Sequence, residues 1–163
     1  MAREPHDAPT QDAYVSLFGE LGAGLSDTEW ITRANSALPP NLSALNTRFV
    51  GGSRADQTLQ VCYEPGPESF SFFSLSGGCI AEMLDQAATH CGTFVTSHGC
   101  PTLSMTVNYL RRGAGSLFIA TTHLLSVSSA SAVADAELVD ARQRRIASAS
   151  VVVALMRDIT KYT

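Results

Sequence analysis

The segment from Ser76 to Ala88 contains the residues best placed to do chemistry. Gly77 and Gly78 open an apolar stretch typical of a helix, and one carboxylate, Asp85, follows seven positions after Gly78. Glycines at a helix start let a ligand approach the backbone, and the first-turn N–H groups there have no acceptor within the helix. These amides could bind an oxyanion, and a carboxylate can serve as general base or nucleophile. The pattern predicts parts of an acyl-transfer site.

The spacing of these residues also predicts a homodimer. Apolar residues lie on more than one side of the predicted helix, so we expect the helix and Asp85 to be almost completely buried. Gly78 and Asp85 lie roughly 10 Å apart along the helix axis at a rise of ~1.5 Å per residue. One helix cannot aim both groups at one carbonyl. If they cooperate, the amides come from one subunit and the carboxylate from another.

These motifs resemble a known family. The chain resembles hotdog-fold acyl-CoA thioesterases of the phenylacetic-acid-degradation (PaaI-like) type over about residues 45–156. Their motif is a His-Gly-Gly leading into the central helix, an acid nine positions after that His, and a strand ending in Asn-Tyr-Leu-Arg. Here Gly77-Gly78, Asp85 and residues 108–111 fall on those places. Residues 132–139 and 147–153 are similar to the family's last two strands.

The resemblance implies roles for individual residues. It implies an oxyanion hole at Gly77 and Gly78, a general base or nucleophile at Asp85, and a water-orienting hydroxyl at Thr102. The implied substrate is an acyl-CoA or acyl-carrier thioester, with coenzyme A entering only as part of the substrate and no separate cofactor. Further candidates for contact with the substrate are Ser74, Ser76, Glu82, Arg111 and Arg112.

The chain departs from the family pattern at two polar positions. Ser76 stands where the family has His, and no Asn occurs near Phe70, where the family often has one. A serine of the segment 69–76 could supply a substitute hydroxyl. The departures leave two other functions open, a catalytically weak protein that binds acyl ligands and a scaffold or assembly protein.

Composition narrows the function classes. The chain has 163 residues, 45% of them apolar, and a net charge of −4, which fits one globular domain. It has no basic block of the kind that binds nucleic acid, and no apolar run long enough to span a membrane. We expect a cytoplasmic protein with reduced cysteines, and we expect it to form a homodimer or a dimer of dimers.

Coenzyme A is anionic and would need a basic patch on the protein. Two groups of arginines are candidates for this patch: Arg111 and Arg112, or Arg142, Arg144 and Arg145.

Other catalytic arrangements are weakly supported. His90, Cys91, His98 and Cys100 carry metal-binding atoms, but adjacent side chains on a helix diverge by ~100°, so we predict no metal site. Cys79, at a positive helix end, is a conceivable nucleophile, although no base adjoins it. The chain has no Gly-x-Ser-x-Gly elbow and no dinucleotide-binding glycine motif.

The order of predicted elements indicates an α+β fold of the hotdog type. We predict a loose segment to about Ala13, then helical stretches with an N-cap at Ser26 or Asp27 and an end at Pro39-Pro40. Strands follow at 47–50 and 58–63, with a turn or bulge at Gly51-Gly52. The long helix covers residues 78–95, and strands cover 102–111, 116–128, 131–139 and 144–156. Residues 1–40 would form a helical extension, and residues 41–163 a hotdog domain with five or six antiparallel strands around the helix.

Overall fold

The computed structural model describes residues 8–157. Its helices are α1 (Ala8–Val15), α2 (Gly19–Gly24), α3 (Asp27–Ser36), α4 (Pro40–Ser43) and α5 (Gly77–Thr96). Its strands are β1 (Arg48–Ser53), β2 (Thr58–Tyr63), β3 (Phe70–Ser71), β4 (Ser74–Leu75), β5 (Thr102–Tyr109), β6 (Phe118–Val127), β7 (Ser131–Asp140) and β8 (Arg145–Ala154). A short 3-10 helix covers Pro67–Ser69. Within the described residues, no helix is both long enough and apolar enough to cross a membrane.

Six strands form one antiparallel sheet that wraps α5, as predicted. The strand order is β1-β2-β6-β7-β8-β5, so β1 and β5 are the two edges. β3 and β4 form a separate short hairpin before α5. The bulge predicted at the glycine pair lies between Phe49 and Gly51. The prediction of an α+β fold with one long helix and a sheet of five or six strands is therefore confirmed.

Small side chains on the inner face of the sheet let α5 lie close to it. Along β7, buried residues alternate with more exposed ones, because successive side chains of a strand point to opposite faces. The buried apolar residues of β7 are Ala132, Ala134, Ala136 and Leu138. Twelve of the twenty residues of α5 are buried, so this helix is the centre of the core.

The helices before β1 share the core of the sheet and α5. Of the two predicted N-cap candidates for α3, the structure has Ser26, whose side chain forms a capping box with Glu29. Trp30 of α3 is fully buried and packs edge-on against Phe49 and Phe94. The Arg54 guanidinium donates to the Gly22, Leu25 and Phe94 carbonyls and pairs with Asp27. These contacts fix the N-terminal helices on the sheet.

Two predictions about the N-terminal region were wrong in detail. The segment predicted to be loose as far as Ala13 is helical from Ala8, while residues 1–7 lie outside the described residues. Pro39-Pro40 does not end α3, which already ends at Ser36. Pro40 instead begins α4, because a proline at the first helical position loses no helical hydrogen bond.

Candidate active site

The Asp85 carboxylate is held by a hydroxyl from the neighbouring edge strand. Asp85 lies on the third turn of α5, and Thr102 is the first residue of β5. The Thr102 hydroxyl donates a hydrogen bond to Asp85 Oδ1. The Asp85 side chain is half-buried and Thr102 is exposed. The near-complete burial predicted for the helix holds for its core face, but it was wrong for Asp85, because edge strand β5 leaves this side of α5 partly open.

Asp85 and Thr102 line a cavity of about 550 Å³. The cavity lies between the α1 region, α5 and the segment that leads into β5. A volume of this size is in the usual range for small-molecule sites, roughly 300–1,000 Å³. Its lining is mostly apolar and consists of Gln11, Tyr14, Val15, Phe18, Asp85, Thr89, His90, Thr93, Gly99, Cys100, Pro101, Thr102 and Met156.

The start of α5 presents free backbone amides. The Ser76 hydroxyl accepts a hydrogen bond from the Cys79 amide at 3.2 Å and so caps the helix. The Ile80 amide donates to the Ser76 carbonyl. Among the described residues, the amides of Gly77 and Gly78 have no acceptor. Two N–H groups at the positive end of a twenty-residue helix are therefore available to an anion or oxyanion.

The protein backbone itself does not require glycine at position 78. Neither Gly77 nor Gly78 has a positive φ. A Cβ atom built on Gly78 would have no neighbour within 4 Å, and the nearest neighbours of one on Gly77 would be Tyr109 atoms at 3.6 Å. Glycine in a helix is less favourable than alanine by roughly 0.5–1 kcal/mol. The open space in front of Gly78 is therefore suited to close approach by a ligand.

The other predicted contact residues divide between two places. Arg111 and Arg112 are exposed and line a second pocket, of about 380 Å³, with Gly77 and Tyr109. The Tyr109 hydroxyl donates to the Gly77 carbonyl at 2.9 Å, which fixes the end of β5 against the start of α5. The arginines thus lie at the glycine end of the helix.

Two further candidates have local partners. Ser74 is half-buried in β4 and pairs with Ser71 across the short hairpin. The exposed Glu82 side chain accepts a hydrogen bond from Gln86 Nε2 at 3.0 Å, one turn further along α5. Neither residue is among those that line the cavity beside Asp85.

A contact between half-buried Tyr14 and buried His90 in the cavity wall was missed by sequence reasoning. The Tyr14 hydroxyl lies 2.9 Å from His90 Nε2, and His90 Nδ1 lies 2.7 Å from the Gln86 carbonyl. Burial lowers the pKa of His90 and raises the pKa of Tyr14 to about 12, so both groups are neutral near pH 7. The sequence shows Tyr14 at helical spacing with Leu17 and Phe18, which predicts that Tyr14 packs in the core but does not indicate a contact with His90.

The surroundings of Cys79 disfavour a nucleophile, and His98 is engaged by a local hydrogen bond. Burial raises the pKa of the Cys79 thiol, which disfavours the thiolate that a nucleophile would need. All four cysteines are buried and free. Within residues 8–157, no group of three or more His, Cys, Asp or Glu side chains could hold a metal ion. His98 Nδ1 is bonded to the Thr96 carbonyl at 2.6 Å.

The two halves of the candidate site lie at opposite ends of β5. Thr102, the first residue of the strand, contacts Asp85, and Tyr109, the last, contacts Gly77. On α5 the two contacted residues are eight positions apart, ~12 Å at 1.5 Å per residue. In one subunit the amides and the carboxylate are therefore separate.

Comparisons with known proteins find a match to one family model. A sequence model described as the thioesterase superfamily matches residues 74–147, a stretch that contains Gly77, Gly78, Asp85 and Thr102. A comparison with curated protein sequences finds no match.

Several solved structures share the fold. The Escherichia coli PaaI protein from the phenylacetic acid degradation operon is 18% identical with a TM-score of 0.69, and the alignment covers 77% of this chain and 91% of that one. A hypothetical thioesterase from Streptococcus pneumoniae, solved with coenzyme A, is 16% identical with a TM-score of 0.65 and coverage of 72% and 91%. A Streptococcus mutans protein bound to acetyl-CoA is 18% identical with a TM-score of 0.63 and coverage of 69% and 90%. The chain thus has the hotdog fold of the thioesterase superfamily, and the segment that matches the superfamily's sequence model contains both halves of the candidate site.

Proposed function

We propose that the protein hydrolyses an acyl-CoA or acyl-carrier thioester in a site shared by two subunits. The amides of Gly77 and Gly78 bind the thioester oxygen, and Asp85 of the facing subunit activates a water molecule. The observation that carries this proposal is the Asp85 carboxylate, which a threonine hydroxyl orients at the wall of a cavity large enough for an acyl group.

The hydrogen bond from Thr102 suits Asp85 to act as a general base. It uses one lone pair of Oδ1 and fixes the carboxylate plane, so Oδ2 can accept a proton from water. The water oxygen bonds to the thioester carbon as its proton moves to Asp85, and the carbonyl electrons move to the oxygen held by the glycine amides. When the C=O bond re-forms, the C–S bond breaks and the thiolate leaves. The proton on Asp85 then passes to the thiolate, giving an acid and a thiol.

Pairing of two β5 strands would assemble these groups. β5 is a sheet edge whose other side carries no strand among the described residues, and the side chain of Leu103 is 63% exposed. Two copies related by a two-fold axis pair such edges antiparallel. The Thr102 end of one strand then lies beside the end that holds the partner subunit's Gly77. This arrangement brings Asp85 of one subunit toward the free amides of the other.

The exposed arginines at the glycine end suit an anionic carrier. Arg111 and Arg112 line the same pocket as Gly77, and their guanidinium groups give this end of the helix a positive charge that suits a phosphate-bearing carrier. Coenzyme A and the phosphopantetheine arm of a carrier protein share this chemistry. The coenzyme A and acetyl-CoA found in two proteins of this fold favour the first.

The Ser76 side chain gives a second candidate function some support. Its hydroxyl oxygen accepts from the Cys79 amide, and this cap holds the short side chain against the first turn of α5, where the family has the longer His ring. A donor held away from the carbonyl would weaken catalysis but leave the cavity and amides able to bind. The alternative is a protein that holds acyl-CoA without fast turnover.

A thiol-release assay separates the two functions. Purified protein is mixed with short, medium, long and aryl acyl-CoAs, and free thiol is followed with a chromogenic disulfide. The protein's own four cysteines are buried and should react slowly. Turnover above the rate without protein supports the hydrolase. Binding of acyl-CoA by calorimetry with no thiol release would instead support the binding function.

A further inference from the structure

The cavity beside Asp85 extends along one face of α5. Asp85, Thr89 and Thr93 recur every four residues, and all three line the cavity. Asp85 and Thr93 are eight residues apart, so this wall is ~12 Å long at 1.5 Å per residue. An acyl group whose carbonyl lies near Asp85 would therefore run along this face toward Thr93.

The polar groups of this wall are largely satisfied within the protein. The Thr89 hydroxyl donates to the Gln86 carbonyl at 3.1 Å, and the Thr93 hydroxyl donates to the Thr89 carbonyl at 3.2 Å. Val15, Phe18 and Met156 add apolar surface. The cavity therefore suits an apolar acyl group better than a charged one.

The position of the Tyr14 ring is fixed by His90. The Gln86 carbonyl can only accept, so the proton of the neutral imidazole is on Nδ1 and Nε2 is the acceptor. The Tyr14 hydroxyl must then donate to Nε2. The Tyr14 ring also packs edge-on against Phe18, with ring centroids 5.4 Å apart. One hydrogen bond and one aromatic contact thus hold a large side chain from α1 in the cavity wall.

We infer that Tyr14, held by His90, limits the size of the acyl group, so that the site prefers compact apolar acyl groups to long chains. This inference rests on the proposed function, because it assumes that the cavity takes the acyl part of a thioester. It gives α1 a role in substrate selection, and α1 lies outside residues 74–147, the segment matched by the superfamily's sequence model. Tyr14 is on this reasoning a specificity-determining residue and takes no part in the chemistry.

Binding of uncleavable analogues tests the inference without any need for turnover. S-alkyl-CoA thioethers from acetyl length to palmityl length are titrated by calorimetry into the native protein and three variants. Tyr14→Ala removes the ring, and Val15→Phe adds bulk to the same wall. Tyr63→Phe is the matched control, because Tyr63 is fully buried, donates to the Met83 carbonyl at 2.8 Å and does not line the cavity.

The expected result is a change in the dependence of affinity on chain length. The native protein should bind compact chains best. Tyr14→Ala should gain at least about tenfold for the longest chain relative to the shortest, and Val15→Phe should move the optimum to shorter chains even if Tyr14→Ala fails to fold. Tyr63→Phe should lose stability and keep the native profile.

Two outcomes would overturn the inference. One is an unchanged length profile in a folded Tyr14→Ala protein, and the other is a native protein that binds the longest thioether best or binds none. Thiol release is measured separately on the matching thioesters. If the protein binds the thioethers with the predicted length profile but releases no thiol, the proposed hydrolysis is refuted. The role of Tyr14 in limiting the size of the acyl group is then still supported.

Discussion

Replacing Gly78 by alanine tests whether this glycine is needed for the structure or for the function of the protein. The added methyl group meets no atom within 4 Å, and the backbone there needs no positive φ. Alanine is the better helix former by roughly 0.5–1 kcal/mol in a helix interior, and the first turn should realise about 0.5 kcal/mol of this. For a chain of this size that raises the melting temperature by about 1–2 °C. A glycine with only a structural role would therefore be improved by the change.

The same methyl group should block the proposed oxyanion site. The Cα–Cβ bond of a helical residue tilts toward the N-terminus of its helix, so the methyl projects into the space in front of the first-turn amides. A carbonyl oxygen could then no longer approach the Gly78 N–H. Loss of one oxyanion donor costs about 10²–10³ in kcat. We expect Gly78→Ala to melt slightly higher and to lose at least ~100-fold in kcat.

Melting curves and thiol-release kinetics on the same preparations measure both effects. Gly24→Ala is the matched control, because a Cβ on Gly24 also has no neighbour within 4 Å and this residue ends α2, in the N-terminal helices. It should leave kcat unchanged. A Gly78→Ala protein that melts higher and keeps full kcat and KM would refute the assignment of the amides.

Three further changes test single contacts. Ser76→Ala removes the helix cap that accepts from the Cys79 amide, and it should cost about 1 kcal/mol of stability by denaturant titration; unchanged stability would contradict the cap. Thr102→Val removes the donor to Asp85 and should lower kcat about tenfold, the scale of one lost hydrogen bond, while Thr102→Ser should restore activity. Burial holds the pKa of His90 in the folded protein below the 6.5 of an unfolded chain. The unfolded state therefore binds the extra proton first, and the free energy of unfolding should fall as pH drops below 6.5. His90→Gln should flatten this part of the stability curve, and an equal slope in both proteins would refute the burial of a neutral His90.

Regular elements were predictable where one local pattern dominates. β2 matches its predicted limits at both ends, because its polar and apolar residues alternate and turn signals flank it. α5 begins one residue before its predicted start and ends one residue after its predicted end, since Gly77 and Gly78 mark its start and Gly99 and Pro101 follow its end closely. Local sequence narrowed the N-cap of α3 to Ser26 or Asp27, and the structure has Ser26 there.

Contacts between distant residues could not be predicted from local pattern. Tyr14 and His90 are 76 positions apart, and the sequence around each residue gives no indication that the two are in contact. Asp85 and Thr102 came together in the prediction only through the family resemblance, and their hydrogen bond depends on how β5 lies against α5. The exposure of Asp85 was mispredicted for the same reason, because the apolar content of a helix does not show which side the sheet leaves open.

The central claim is that the Asp85 carboxylate drives thioester hydrolysis, and Asp85→Asn tests it most directly. The substitution keeps size and shape and removes the base. Asp56→Asn makes the same change of charge at an exposed turn and serves as the control. Turnover of the best acyl-CoA is measured for all three proteins, with binding of the matching thioether as a check that the cavity is intact. The account predicts that Asp85→Asn keeps binding and loses at least ~100-fold in kcat, while Asp56→Asn retains native turnover. An Asp85→Asn protein with native kcat would contradict it.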